Sequence, residues 1–418
     1  MSHTQSWPQN RAASRQATIS LPAGLVLLLL AVQAAGILAG HALLPGASHA
    51  RLAERLLSWD GRIYFGIMQD GYGWNPARPQ DSQSIAFFPL QPLLDKAGAF
   101  LAGRAAPLPP LLLSFGFGAA CIFAFHDLAQ AVLKPREAAY ASALFALWPA
   151  TVFFIMGYPT GLISLCVIGA LGAHIRGHHW RAALWCGLGS AAAPTVMFVA
   201  AALYLARGLN LLRQGVTPRR ALQLAGWALL CASGLLGFLL YQQWRFHDAL
   251  AFDKAQLAWG AAPPFGQRLH RLADWHWYTQ QANAGRDEIS QGLALWRNGQ
   301  KLPGMTAIEA GVQRWINSFS MVLAVLGLLC ASFGLRRRAA TIAAAGWCVF
   351  AGYVWFIFTT DQNMLCVPRL LYPAISLFLG FGLLAGRLPA FAGVTVLAFS
   401  LLASGLEAAF AASGYWVV

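Results

Sequence analysis

The sequence is poor in charge. Asp, Glu, Lys and Arg together make up 11% of its 418 residues. A water-soluble domain carries roughly a quarter, so a chain-long soluble body is excluded. Acids are scarcer still, 15 against 29 Lys and Arg. Paired-cysteine and metal-ligand patterns are missing as well. Of the seven cysteines, Cys121, Cys166, Cys186, Cys231, Cys330 and Cys348 lie inside apolar runs, where a thiol behaves as a small hydrophobe. Cys366 falls near an expected exposed loop without an evident partner. No Cys-x-x-Cys or Cys/His spacing points to zinc, and His178-His179 reads as a solvated loop pair. Internal repeats are not visible either, which counts against repeat-built transporters.

What is abundant is apolar length. Hydrophobic residues make up 58% of the chain, and mean hydropathy is +0.54. Runs of span length cover 21–44, 108–132, 138–157, 160–175, 221–243, 313–335, 339–359, 367–386 and 389–412, with a further interrupted run at 182–206. The expectation is an all-α polytopic membrane protein with about eleven transmembrane or half-membrane helices. Arg11 and Arg15 ahead of the first run, and Ser48-His49-Ala50 after it, imitate a secretion signal. The run is longer than a cleaved signal core, however, and reads as an uncleaved first helix.

The formal charge of +14 is dispersed in short clusters such as Arg219-Arg220 and Arg336-Arg337-Arg338. Clusters between apolar runs mark cytoplasmic loops, whereas a nucleic-acid partner would need one continuous stripe. With the N-terminus inside, Lys134, Arg136, Arg176, Arg181 and Arg336 to Arg338 fall on the cytoplasmic side. Arg207, Arg213, Arg219 and Arg220 comply only if 182–206 breaks into two half-helices between Gly187 and Pro194. Such a break is tolerated where protein shields it or it lines a wet cavity. Two polar segments, 45–107 and 244–312, then lie on the non-cytoplasmic face. They hold eleven of the 15 acids, with Trp and Tyr suited to an interface, and are expected to form small structured caps that carry the chemistry. Asp127 and Glu407 are the main acids inside spans.

The first polar segment reads Ser58-Trp59-Asp60-Gly61-Arg62-Ile63-Tyr64, then Gln69-Asp70-Gly71-Tyr72, then Ala86-Phe87-Phe88-Pro89-Leu90-Gln91-Pro92. An acid among aromatics at the water boundary suits a substrate whose tail stays in lipid. The competing reading is that Asp60 merely caps a helix N-terminus. The string resembles the first luminal loop of the PIG-V family of mannosyltransferases (GPI mannosyltransferase II type, with bacterial relatives), whose pattern is W-D-x-x-x-Y, G-Y, A-F-F-P-L-x-P. In the second polar segment, Phe252 through Gly260 is similar to the family's F-x-x-A-Q-x-x-W-G. A weaker likeness is Pro368-Arg369-Leu370-Leu371-Tyr372-Pro373, an Arg with a Pro four residues on.

The resemblance implies a GT-C-like glycosyltransferase. Such an enzyme moves a sugar, mannose by family, from a polyprenyl-phosphate donor to a glycan, lipid or protein acceptor, with inversion. Polyprenyl phosphate leaves readily, so a base and a cation suffice, without the paired carboxylates of a glycosidase. Asp60 is the candidate base. Arg369, whose planar fork matches phosphate oxygens, is the candidate anion clamp; a helix-end anchor is its alternative. Trp59, Arg62, Tyr64, Asp70, Tyr72, Phe88, Gln256 and Trp259 are candidate substrate contacts, with packed loop core the alternative for Gln256 and Trp259. No tightly held cofactor is expected. A divalent cation would need Asp60 and Asp70 brought together.

The chain departs from the family at two places. The family's Tyr-x-Glu-Ser has Thr160 in place of Glu, and its Arg before Pro-Thr is Ala193 here. Joint loss of an acid and a base avoids an unpaired charge at membrane depth. It also motivates an alternative, a catalytically silent lipid-glycan binder; a transporter or flippase is a third reading. If the source is bacterial, the location is the inner membrane.

Overall fold

A computed structural model describes residues 11–46, 50–103, 106–215, 217–260, 263–335, 339–358 and 364–417. Ser48, His49 and Arg336 to Arg338, used above for the leader and the orientation, lie outside the described residues. Everything described is helix, turn or loop. Six helices contain stretches long and apolar enough to cross a membrane: Ser20–Leu43, Leu108–Val132, Thr195–Arg213, Pro218–Phe246, Lys301–Gly334 and Ala390–Ser413. The protein is an integral, multi-pass membrane protein. Shorter apolar helices, Thr160–Ile175, Ala340–Phe356 and Ser376–Ala385, fill the bundle between them.

Proline and glycine decide where apolar runs stop being spans. The run 182–206 breaks where expected, into His179–Ser190 and Thr195–Arg213, but the second piece is 19 residues long, span length and not the half-helix expected. Pro194 cannot donate to the ladder, and the Ala191 carbonyl freed by the break accepts the Leu90 N–H at 2.8 Å. A membrane-depth carbonyl is thereby satisfied by the first polar segment, which fixes that segment against the broken helix. Two other runs are not single spans. The run 138–157 is the helix Pro135–Ala146 followed by a buried 3-10 turn, Pro149–Phe154, because Pro149 ends the ladder. The run 367–386 is split by Pro373 into the single turn Val367–Leu370 and the helix Ser376–Ala385. Both interruptions deliver residues to the site described below.

Close helix approach is made by small residues. On Gly36 an added Cβ would lie 2.2 Å from the Gly405 carbonyl oxygen, so the first and last helices meet backbone to backbone. The second polar segment differs from the small cap expected. Trp275–Arg297 and the start of Lys301–Gly334 form a long helical hairpin. Gly285 and Gly292 on one arm face Gly311 and Gly304 on the other. A Cβ on Gly292 would sit 2.5 Å from the Gly304 oxygen, and one on Gly311 would sit 2.4 Å from the Gly285 oxygen. Arg314 closes the hairpin with a two-point bond to Glu288, at 2.8 and 3.2 Å, and a third bond to the Gln281 amide oxygen at 2.7 Å.

The two intramembrane acids part company. Asp127 pairs with Arg176 at the surface, its side chain 65% exposed, so it does not belong to the bundle interior. Glu407 is buried and accepts from the Gln313 amide at 3.1 and 3.3 Å.

Candidate active site

The helix Asp60–Asp70 starts at the acid of the first motif, and the capping reading does not hold there. Trp59 is the cap residue, no side chain caps the helix end, and Asp60 is already inside the first turn. Its carboxylate turns instead to the late arginine: Arg369 Nη1 donates to Asp60 Oδ2 at 2.7 Å, a pair formed across 309 residues of chain. The Asp60 side chain keeps 24% and the Arg369 side chain 17% of its surface exposed. The pair is therefore recessed but reachable.

A ring of aromatic and backbone groups holds this pair in place. The Arg369 guanidinium lies 5.1 Å from the ring centres of both Phe153 and Tyr158, a cation–π arrangement that adds to the ion pair. Tyr158 Oη accepts the Asp60 backbone N–H at 3.1 Å and donates to the Ser58 carbonyl at 3.3 Å. Burial, and then the Asp60 charge, push the Tyr158 hydroxyl well above the usual phenol range. For Arg369, burial acts to lower the pKa. The neighbouring Cys366, Asp60 and Tyr158 outweigh it and leave the guanidinium more firmly protonated. Arg369 Nε is buried and has no protein partner.

The backbone on both sides of the pair is strained. Trp59, immediately before Asp60, has φ 58°, and Cys366, three residues before Arg369, has φ 48°. Residues with side chains adopt such angles at a cost of about 1–3 kcal/mol each, and such strain clusters at functional sites. Cys366 was expected near an exposed loop; its thiol is buried beside Arg369, 7% exposed.

One turn beyond Asp60, Tyr64 is buried edge-on against Phe87 at 5.2 Å. Burial and the Asp60 charge raise its hydroxyl above the usual phenol range. Tyr64 also feels Asp95, a carboxyl with no exposed surface in the helix Leu90–Leu101. Gln91 Nε2 donates to Asp95 Oδ1 at 2.8 Å, while Asp95 Oδ2 and Gln91 Oε1 are both buried without a partner. Burial pushes the Asp95 carboxyl up to about 7 against the opposing Gln91 bond.

The structure distributes the other expected contacts unevenly. Trp59 is beside the pair and 49% exposed. Arg62 is exposed; two residues on a helix lie about 200° apart, so it leaves the face that Asp60 uses. Asp70 ends the same helix, ten residues and about 15 Å of helical rise from Asp60, so these two acids do not meet at one cation. Tyr72, Phe88, Gln256 and Trp259 join the two motif segments to each other. Phe88 lies 5.1 Å from Phe238 and 5.4 Å from Phe252, Trp259 is 5.6 Å from Phe87, and the Tyr72 hydroxyl donates to the Phe87 carbonyl at 3.0 Å. The Gln256 amide donates to the Ala86 and Phe252 carbonyls at 3.4 and 3.3 Å. These contacts make a packed aromatic joint, the packing alternative already open for Gln256 and Trp259. Tyr158, Phe153, Gln91 and Asp95 are site neighbours not picked out from the sequence.

The family model "Mannosyltransferase (PIG-V)" matches residues 46–265, more than half of the chain. The chain belongs to the PIG-V mannosyltransferase family. Its match covers both motif segments of this PIG-V chain and stops short of Arg369, whose place in the site rests on geometry alone. Among curated relatives, human GPI alpha-1,6-mannosyltransferase 2 is 29% identical over 203 residues, 43% of this chain and 39% of the relative. The Cricetulus griseus protein of the same name is 33% identical over 148 residues, 32% of this chain and 28% of the relative. The chain thus spans well under half the length of the curated relatives it matches. Among solved structures, the archaeal oligosaccharyltransferase AglB from Archaeoglobus fulgidus aligns over 96% of this chain and 56% of its own, at 14% identity and a TM-score of 0.48.

Proposed function

We propose that this PIG-V protein is a GT-C-type membrane glycosyltransferase. It moves a sugar, mannose by family, from a polyprenyl phosphate to an acceptor hydroxyl, with inversion, on the non-cytoplasmic face. Family membership supports the reaction class. The single observation that carries the site is the recessed ion pair joining Asp60 of the first motif to Arg369.

The chemistry follows from which atoms are committed. Asp60 Oδ2 is held by Arg369, which leaves Oδ1 to accept from the acceptor hydroxyl. As that oxygen attacks the anomeric carbon from the face opposite the phosphate, its proton passes to Asp60. The sugar–phosphate C–O bond breaks with its electron pair leaving on the phosphate. Arg369 has Nη1 on Asp60 and the Phe153 and Tyr158 rings beside it; its Nη2 and Nε hydrogens remain for an anionic oxygen. No metal step is required by these residues.

The test is sugar transfer from a polyprenyl-phosphate sugar in membranes bearing Asp60→Asn or Arg369→Lys. The amide keeps the shape and removes the base, so activity should fall by about 10²–10⁴ at unchanged expression. Arg369→Lys retains charge without the fork and should retain only part of the activity. Wild-type rates from Asp60→Asn would end this assignment.

The catalytically silent reading drew on Thr160 and Ala193, where the family pattern has an acid and a base. Turnover with any polyprenyl-phosphate sugar would dispose of the silent reading.

A further inference from the structure

The far end of the Asp60–Asp70 helix has its own chemistry. Between it and the helix Leu90–Leu101 lies an open cleft of about 670 Å³, lined by Met68, Gln69, Asp70, Lys96, Ala99, Phe100 and Gly103. Its floor is apolar, with Met68 3% and Ala99 7% exposed. Neither Asp70 nor Lys96 has an ion-pair partner among the described residues. Phe100 forms an outward-facing apolar wall, 85% exposed, and beyond the cleft Leu101 is 85% and Leu93 61% exposed on the same helix.

Two opposite charges left unneutralised in one cleft ask for a ligand carrying both signs. Asp70 is the last residue of its helix and Leu101 the last of the other, and Asp70 therefore stands where a helix C-terminus also favours a cation. Lys96, set back within its helix, is a point charge suited to a phosphate. The exposed apolar Phe100, with Leu101 and Leu93 beyond it, gives a soluble zwitterion nothing to do and suits an acyl chain.

We infer that the cleft between the Asp60–Asp70 and Leu90–Leu101 helices binds the headgroup of a bilayer phospholipid of the phosphoethanolamine class. Asp70 receives its ammonium hydrogens, Lys96 holds its phosphate and Phe100 flanks its tail. A primary ammonium donates hydrogen bonds that a quaternary one lacks, so phosphoethanolamine is preferred over phosphocholine. A purely anionic headgroup leaves Asp70 facing like charge. The site stands apart from the Asp60–Arg369 pair and does not depend on the transfer reaction.

The test uses the full chain purified from, or exchanged into, vesicles of equal phosphatidylethanolamine, phosphatidylglycerol and phosphatidylcholine. Retained lipid is counted by native mass spectrometry. The wild type should retain phosphatidylethanolamine about tenfold over phosphatidylcholine, the ratio that one charge-assisted hydrogen bond supports. Asp70→Asn should abolish that preference and Asp70→Glu restore it. Lys96→Met should lower retention of phosphatidylethanolamine and phosphatidylglycerol alike, and Lys301→Met, on a distant helix, should change nothing. Equal retention of all three lipids by the wild type, a preference for phosphatidylglycerol, or an unchanged preference in Asp70→Asn would each overturn the proposal.

Discussion

The two polar segments of this protein are built on opposite plans. In the second, the hairpin of Trp275–Arg297 with Lys301–Gly334 interlocks through facing glycines and meets the Arg314 fork with two acceptor side chains. In the first, polar atoms are left wanting: Asp95 Oδ2 and Gln91 Oε1 are buried without partners, and Trp59 is held at a positive φ. A segment locked glycine to glycine, with its arginine fork met by acceptors, is a scaffold. One that is strained and under-satisfied is where a substrate still has bonds to make.

This contrast can be broken experimentally. After Asp60→Asn, the largest effect is expected at Arg369→Met, which removes the cation and leaves Asp60 recessed without its partner. Transfer should fall by about 10²–10³ and thermal stability should drop as well; a variant with normal rate and melting temperature would make the pair ornamental. Next comes pH. The Asp95 carboxyl is pushed up to about 7 from the ordinary 3.8, so between those values the folded protein binds more protons than the unfolded chain. Stability is full below about pH 4, declines as pH rises, and levels off above about 7. Asp95→Asn should flatten that decline and be more stable than the wild type at pH 8 by up to about 4 kcal/mol, with no difference at pH 4. Melting curves at the two pH values decide it, and an equal shift at both would refute the buried-acid account.

Smaller effects test the scaffold side. Gly292→Val places atoms where a Cβ alone would be 2.5 Å from the Gly304 oxygen, and should destabilise the hairpin by about 1–3 kcal/mol. The activity of the fraction that stays folded should be unchanged; a selective loss of turnover at constant stability would move chemistry into the second segment. Smallest is Trp59→Gly. Glycine accepts the positive φ, so the melting temperature should rise by the equivalent of about 1 kcal/mol while transfer weakens through a less fixed Asp60. A fall in stability would show that the indole packing outweighs the strain.

How much of this could be read beforehand depends on range. The spans were legible because lipid demands about twenty apolar residues in a row, and the broken helix because charge on its flank fitted no other arrangement. Trp148-Pro149 and Pro373 were visible, yet the runs containing them were taken as spans, since hydropathy does not register a missing N–H. The hairpin was read as a small cap, although Gly285 and Gly292, and Gly304 and Gly311, each repeat at seven residues. That spacing brings two helix backbones together, but only once the partner is known. Asp60 and Arg369 were each named, for different jobs; their mutual bond was not, because no local pattern encodes a contact across 309 residues. Asp95 was passed over as one of five acids in its segment, its burial being a property of packing alone.

That separation also sets a schedule for biogenesis. During synthesis the ribosome delivers Asp60 long before Arg369, and at about 5–20 residues per second the wait is on the order of 15–60 s. Throughout it the carboxylate has no counter-ion and Tyr158 arrives first, as a placeholder on the Asp60 amide. The pair thus waits for a late stretch of the nascent polypeptide. A nascent intermediate halted after its fifth crossing, Lys301–Gly334, would hold its early helices in the bilayer and still lack Arg369.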